Sequence, residues 1–266
     1  MLGSIIGDII GSSKEFHNTD DINFEFFDRR STYTDDTILT VCTADVIMDH
    51  ADYSKYYCDY CQGYPNRGWG GSFLKTVTAN KKLVPYNSFG NGSAMRVAPI
   101  GWYCNDVDSV LEEAKRSAEV SHNHPEGVKG AQAVALAILL ARNKFSKEKI
   151  LENVEKLGYN LKKELNQFPR RKTEASCQNT IPLCFALFMD SENFEDAIRK
   201  TVYHGGDCDT TACIVGGIAE AYYGRPPREM EIEAWKRLDS HLQKISTNFI
   251  KKYVYTDFVP SSVNIL

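Results

Sequence analysis

Apolar residues recur at three- and four-residue intervals along most of the chain, the spacing that gathers them on one face of an α-helix. The pattern predicts helices over Ser109–Val120, Glu126–Arg142, Lys147–Leu157, Ile181–Met189, Phe194–Tyr203, Thr210–Tyr223 and Arg228–Lys244. Breakers separate them at His124-Pro125-Glu126-Gly127, Phe168-Pro169 and Gly224-Arg225-Pro226-Pro227. Strict two-residue alternation is scarce, and only Asp20–Arg29 reads as a hairpin or a loop. Tyr56–Val97 reads as irregular and loop-rich. Near the start, Gly3, Gly7 and Gly11 would line one helix face and let a second backbone approach. With no internal repeat, low-complexity tract or dividing linker, the expectation is one all-α domain, residues 1–266, of roughly ten helices.

Composition narrows the class without choosing a function. A chain of 266 residues allows one or two domains and a core that needs no disulfide or metal staple. Hydrophobic residues at 42% and charged residues at 25% exclude a largely disordered chain, a fibre and a coiled-coil rod. A net charge of −4 with no basic block argues against non-specific binding to nucleic acid or a membrane surface. No apolar run approaches the ~20 residues of a spanning helix; the best is Ala131–Ala141. The segment Met1–Asp8 lacks a basic region and meets an acid at once, unlike a signal peptide. Eight scattered cysteines suggest reduced thiols, so a cytoplasmic location is expected.

Two acid pairs change the picture. Thr34-Asp35-Asp36-Thr37 stands directly ahead of an apolar helical run. Thr34 can cap that helix and an acid can complement its dipole, yet a cap needs only one of them. His204-Gly205-Gly206-Asp207-Cys208-Asp209-Thr210 stands ahead of a second run. On a regular helix Asp207 and Asp209 would diverge by ~200°, so they converge only if the backbone there is not yet helical. Gly205-Gly206 permits that conformation. Capped helix and ligand pair both remain readings of each segment. If both entrances face one cleft, four carboxylates meet, and such a cluster raises its own pKa values or binds hard cations. All-oxygen ligands select Mg²⁺, Mn²⁺ or Ca²⁺ over zinc.

Asn87–Arg96 offers Ser88, Gly90, Asn91 and Gly92 for a loop whose amides face an anion, with Phe89 as an aromatic face for a base. It lacks the Gly-Lys-Ser/Thr ending of a P-loop, so an ordinary turn is the competing reading. His122 and His124 flank a turn where one histidine can line a pocket, and Cys58 and Cys61 lack a second pair, so neither makes a zinc site. Tyr64, Trp69 and Phe73 can wall a cleft or simply pack. Asp8 and Glu15 are polar exceptions in a glycine-rich apolar segment, each either solvated or reaching a site.

In this order the segments resemble the ADP-ribosylglycohydrolase family, from Gly3 to about Gly224. The resemblance rests on Gly7-Asp8…Glu15, Thr34–Thr37, Gly90–Arg96, Ser121-His122 and Gly205–Thr210 together. It implies a compact orthogonal helical bundle with two Mg²⁺ or Mn²⁺ ions, hydrolysing the bond between ADP-ribose and an acceptor. The family's metal ligands fall on Thr34, Asp35, Asp36, Asp207, Asp209 and Thr210. Its diphosphate and adenosine contacts fall on Ser88, Phe89, Gly90, Asn91 and Gly92, with His122 beside them. Glu15 matches an acid that closes over the site; the proton-transfer role falls to Glu15, Asp36 or Asp207. The implied partner is an ADP-ribosylated protein or other acceptor. Two departures stand out: Ile9-Ile10, where the family carries smaller residues, and Cys208 between the aspartates. Neither removes a ligand. The competing classes are an inactive ADP-ribose-binding or structural protein, and a phosphohydrolase cleaving the diphosphate.

Overall fold

The structure, a computed structural model, describes residues 1–80 and 82–260. Among the described residues there are fourteen α-helices, one 3-10 turn and no strand. In chain order they are α1 (Leu2–Ser12), α2 (Asp35–Asp49), α3 (Tyr53–Gly63), α4 (Gly71–Ala79) and α5 (Gly92–Met95). Then follow α6 (Ala98–Tyr103), α7 (Val107–Glu119), α8 (Pro125–Arg142) and α9 (Lys147–Glu155). The last five are α10 (Cys177–Asp190), α11 (Phe194–His204), α12 (Cys208–Tyr223), α13 (Arg228–Trp235) and α14 (Ser240–Tyr253).

Two helices organise the core. α12 is buried from Cys208 to Ala221, and α1 lies against it. The glycine spacing of α1 makes this approach feasible: a Cβ on Gly3 would strike the Gly216 carbonyl, and one on Gly11 the Cys208 carbonyl. α8 also packs against α12, and its alanine-rich run Ala131–Ala141 is interior, not membrane-spanning. No described helix is long and apolar enough to cross a membrane. All eight cysteines are free and buried, where they pack as small apolar groups.

The structure differs from the periodicity reading in two places. Tyr56–Val97 contains most of α3, together with α4 and α5. The buried face of α3 is made of Tyr53, Tyr57, Tyr60 and two cysteines, so its period is carried by amphipathic residues that a hydrophobic pattern underweights. Arg228–Lys244 is two helices, because Asp239 accepts from the amides of His241 at 2.9 Å and Leu242 at 3.0 Å and starts α14 afresh. Of the two readings open for Asp20–Arg29, the structure shows the loop, pinned by Arg199, which donates to the Ile22 and Phe24 carbonyls at 3.0 Å each.

Candidate active site

The entrances of α2 and α12 open onto one cleft of about 360 Å³. At the first, Thr34 is extended (φ −114°, ψ −167°) and its Oγ1 accepts from the Asp36 amide at 3.3 Å. Asp8, fully buried on α1, holds this turn. Its carboxylate accepts from Thr34 Oγ1 at 2.7 Å, the Thr34 amide at 2.9 Å and the Thr37 amide at 3.0 Å. Asp8 therefore faces inward, and the alternative of a solvated side chain is closed.

At the second entrance Gly205 and Gly206 take φ of +85° and +86°, the left-handed region that glycine tolerates. Asp207 stays outside the helix (φ −74°, ψ 68°) while Asp209 lies in its first turn. The two carboxylates thereby escape the divergence a continuous helix would impose. Asn91 reaches across from the glycine loop and donates to Asp207 at 2.7 Å and to Thr180 Oγ1 at 3.1 Å. Thr210 Oγ1 donates to Asp36 Oδ2 at 3.4 Å, joining the two entrances directly.

Carboxylate oxygens of Asp8, Asp36 and Asp209 lie within 4.8 Å of one another, as do those of Glu15, Asp207 and Asp209. Asp35 lines the same cleft but belongs to neither trio. Among the described residues the cleft has one Lys or Arg in its wall, Arg96. Burial, and then the neighbouring Asp209, pushes Asp36 well above the ordinary carboxylate range; burial followed by Asp207 does the same to Asp209. Asp35 is raised to about 8 by burial and by Asp8, and Glu15 to about 7 by burial, Asp207 and Asp8. No Lys or Arg among the described residues is ion-paired with these carboxylates, and such crowding is costly unless protons or a cation neutralise it. Asp36 Oδ1 is also buried without a hydrogen-bond partner. An orphaned carboxylate oxygen amid an all-oxygen donor set fits a hard divalent cation.

The rest of the cleft is walled by Ser88, Gly90, Gly92 and His122, with Tyr86 and Phe73. Phe73 is backed by Trp69, stacked on it at 5.5 Å. The Gly90 amide is committed to Ser88 Oγ at 3.1 Å and the Asn91 amide to the Ala175 carbonyl at 2.9 Å. These two amides are therefore already taken, and the Gly92 end of the loop lies against His122. Phe89 does not line the cleft. Its ring is half-exposed and meets His124 edge-on at 5.5 Å. Sequence reading missed Arg96, Tyr86 and the exposed Phe16 beside Glu15, all in the cleft wall. Only the position of Arg96 at the end of the glycine loop hinted at one of them. A larger groove of about 890 Å³, walled by Leu161, Phe168, Met189 and Tyr203, contains none of the clustered carboxylates.

Fold and cleft together define an all-helical protein whose carboxylates, drawn from three helix segments, meet in one pocket. The ADP-ribosylglycohydrolase family model matches residues 1–245, and the chain belongs to that family. It is 29% identical to ADP-ribosylhydrolase ARH3 of Gallus gallus, over 78% of this chain and 76% of that one. It is 25% identical to ADP-ribosylarginine hydrolase Tri1 of Pseudomonas putida (strain GB-1), over 97% of this chain and 78% of the relative. A solved structure described as an ADP-ribosylglycohydrolase-related protein complex superposes with a TM-score of 0.73 at 20% identity. That superposition covers 96% of this chain and 95% of the other, so the fold is the ADP-ribosylglycohydrolase fold.

Proposed function

We propose that this cleft hydrolyses the glycosidic bond between ADP-ribose and an acceptor, an ADP-ribosylated protein side chain, and releases ADP-ribose. The observation that carries the reading is the meeting of the α2 and α12 entrances, with Asp36 Oδ1 left unpartnered between them. Thr34, Asp35, Asp36, Asp207, Asp209 and Thr210 are the residues that would hold two Mg²⁺ or Mn²⁺ ions. When bound, such ions orient sugar hydroxyls and lower the pKa of water.

The chain's own residues supply the rest. Asp8 and Asn91 orient Thr34 and Asp207 through the hydrogen bonds given above. The Gly92 end of the loop and His122 receive the diphosphate, and Phe89 offers its exposed ring to the adenine. Water attacks the anomeric carbon as the bond to the acceptor breaks with oxocarbenium character, and the proton passes to the departing acceptor. Glu15 lies in the second carboxylate trio, where burial and then Asp207 push it up to about 7 before any cation is bound, which suits a group that takes and returns that proton.

A panel of ADP-ribosylated arginine, serine, nucleic-acid base and small-molecule acceptors, incubated with Mg²⁺ or Mn²⁺, tests this. Free ADP-ribose from at least one member is the expected product. AMP would instead indicate diphosphate cleavage. Tight ADP-ribose binding without turnover of any acceptor would leave a binding protein.

A further inference from the structure

Behind the glycine loop three buried side chains form a hydrogen-bonded line. Arg96, just after α5, is wholly buried; its Nη2 donates to the Ser117 carbonyl at 2.7 Å and to Ser121 Oγ at 3.0 Å. The Tyr57 ring packs against its guanidinium, centroid to Cζ 4.3 Å, and its Nε and Nη1 have no partner. Ser121 is also wholly buried, and its Oγ lies 2.7 Å from His122 Nδ1. The other ring nitrogen faces the loop: a Cβ on Gly92 would lie 3.1 Å from His122 Nε2, and one on Gly90 3.5 Å away.

Counting protons along this line leaves one satisfied arrangement. Ser121 Oγ accepts from Arg96 and has a single hydrogen to give. Given to Nδ1, it satisfies both groups, and the proton of a neutral imidazole then sits on Nε2. A proton on Nδ1 instead would leave the Ser121 hydroxyl hydrogen buried without an acceptor. An imidazolium is disfavoured by burial and by the neighbouring Arg96, which together hold the ring well below the ordinary histidine range.

We propose that Arg96 and Ser121 are positioning residues that fix His122 as the tautomer protonated at Nε2, a hydrogen-bond donor to the ADP-ribose diphosphate at the Gly92 end of the loop. The donor role rests on the functional reading above; the tautomer does not. A neutral ring is drawn only weakly to the carboxylates of the same cleft, so its N–H stays aimed at the loop. The buried charge of Arg96 polarises the line toward that donor.

Nitrogen-15 spectra of the unmutated protein, with labelled histidine and no ligand, read the tautomer directly. The expected result is a protonated Nε2 and an unprotonated Nδ1 for His122 between about pH 6 and 8. A proton on Nδ1, or a charged ring in that range, overturns the proposal whether or not ADP-ribose binds. Ser121→Ala should give a mixture of tautomers and weaken ADP-ribose by ~3–10-fold, the scale of one hydrogen bond, while adenosine binds as before. Ser121→Thr should restore both. An unchanged tautomer in Ser121→Ala overturns the relay. Failure of the unmutated protein to bind ADP-ribose overturns the donor role together with the functional reading, and the spectra still decide the tautomer.

Discussion

Gly7 and Ala212 touch backbone to backbone: a Cβ on Gly7 would overlap the Ala212 carbonyl and sit 2.9 Å from the Cys213 nitrogen. This contact draws α1 onto α12 and brings Asp8 beside Asp209. Gly7→Ala should therefore destabilise the protein by ~1–3 kcal/mol or more, since backbone cannot yield as a side chain can. Gly63→Ala, where nothing lies within 4 Å, is the control and should change stability by less than ~1 kcal/mol. Denaturant unfolding of both variants measures the difference. Equal stabilities would mean that the helices separate without cost.

Asp36→Asn and Asp209→Asn should each weaken Mg²⁺ or Mn²⁺ by at least ~10-fold, the scale on which even outer-sphere partners matter. In chelator at alkaline pH the same variants should melt above the unmutated protein, because one of several crowded like charges is gone. Helical content should persist, since the cap of α2 is Thr34. Calorimetric titration and thermal melts read the two effects separately. Unaltered metal affinity in both variants would remove these residues from the ligand set.

The raised carboxylates set the sign of the pH dependence. Asp35 moves from an ordinary 3.8 to about 8 and Glu15 from 4.5 to about 7, so between those values the folded protein holds protons that the unfolded chain has released. Stability then falls as pH rises through the window, because the unfolded state binds fewer protons there. Without metal, melting temperature should drop steadily from mildly acid to mildly alkaline buffer. Saturating Mg²⁺ or Mn²⁺ should flatten or reverse that slope, since a cation binds the deprotonated groups of the folded state. A melting temperature rising with pH in chelator would contradict this assignment.

Glu15→Gln should keep ADP-ribose binding, which needs no base, and slow single-turnover hydrolysis by ~10²-fold or more. The unmutated rate should rise with pH as Glu15 ionises, at a pH below the metal-free value of about 7 because bound cations favour the carboxylate, and the variant should lose that limb. Rapid-quench rates across pH at saturating metal decide it. A variant as fast as the parent would shift proton transfer to Asp36 or Asp207.

Phe89 is exposed, resting edge-on against His124 instead of on the cleft floor. Phe89→Ala should weaken ADP-ribose by ~1–3 kcal/mol if the adenine stacks on that ring, with metal affinity unaltered. Titration with ADP-ribose and with ribose 5-phosphate separates base stacking from phosphate recognition. Unchanged ADP-ribose affinity would place the adenine elsewhere, with the Phe73 and Tyr86 wall as the nearest aromatic surface.

The sequence by itself determined what is local. Helical period is a property of neighbouring residues, so α8, α11 and α12 are legible from spacing alone. Caps and glycine turns are local too: Thr34 before α2 and the positive φ of Gly205 and Gly206 before α12 follow from side-chain oxygen and missing Cβ. Tertiary structure decided everything that joins distant segments. Thr210 meets Asp36 across 174 residues, and Asn91 meets Asp207 across 116. Period shows which face of a helix is apolar, but not which helix that face will meet. The inward turn of Asp8, the line from Arg96 to His122, and the turn of Phe89 toward His124 are settled by packing and by the demand that buried polar groups find partners.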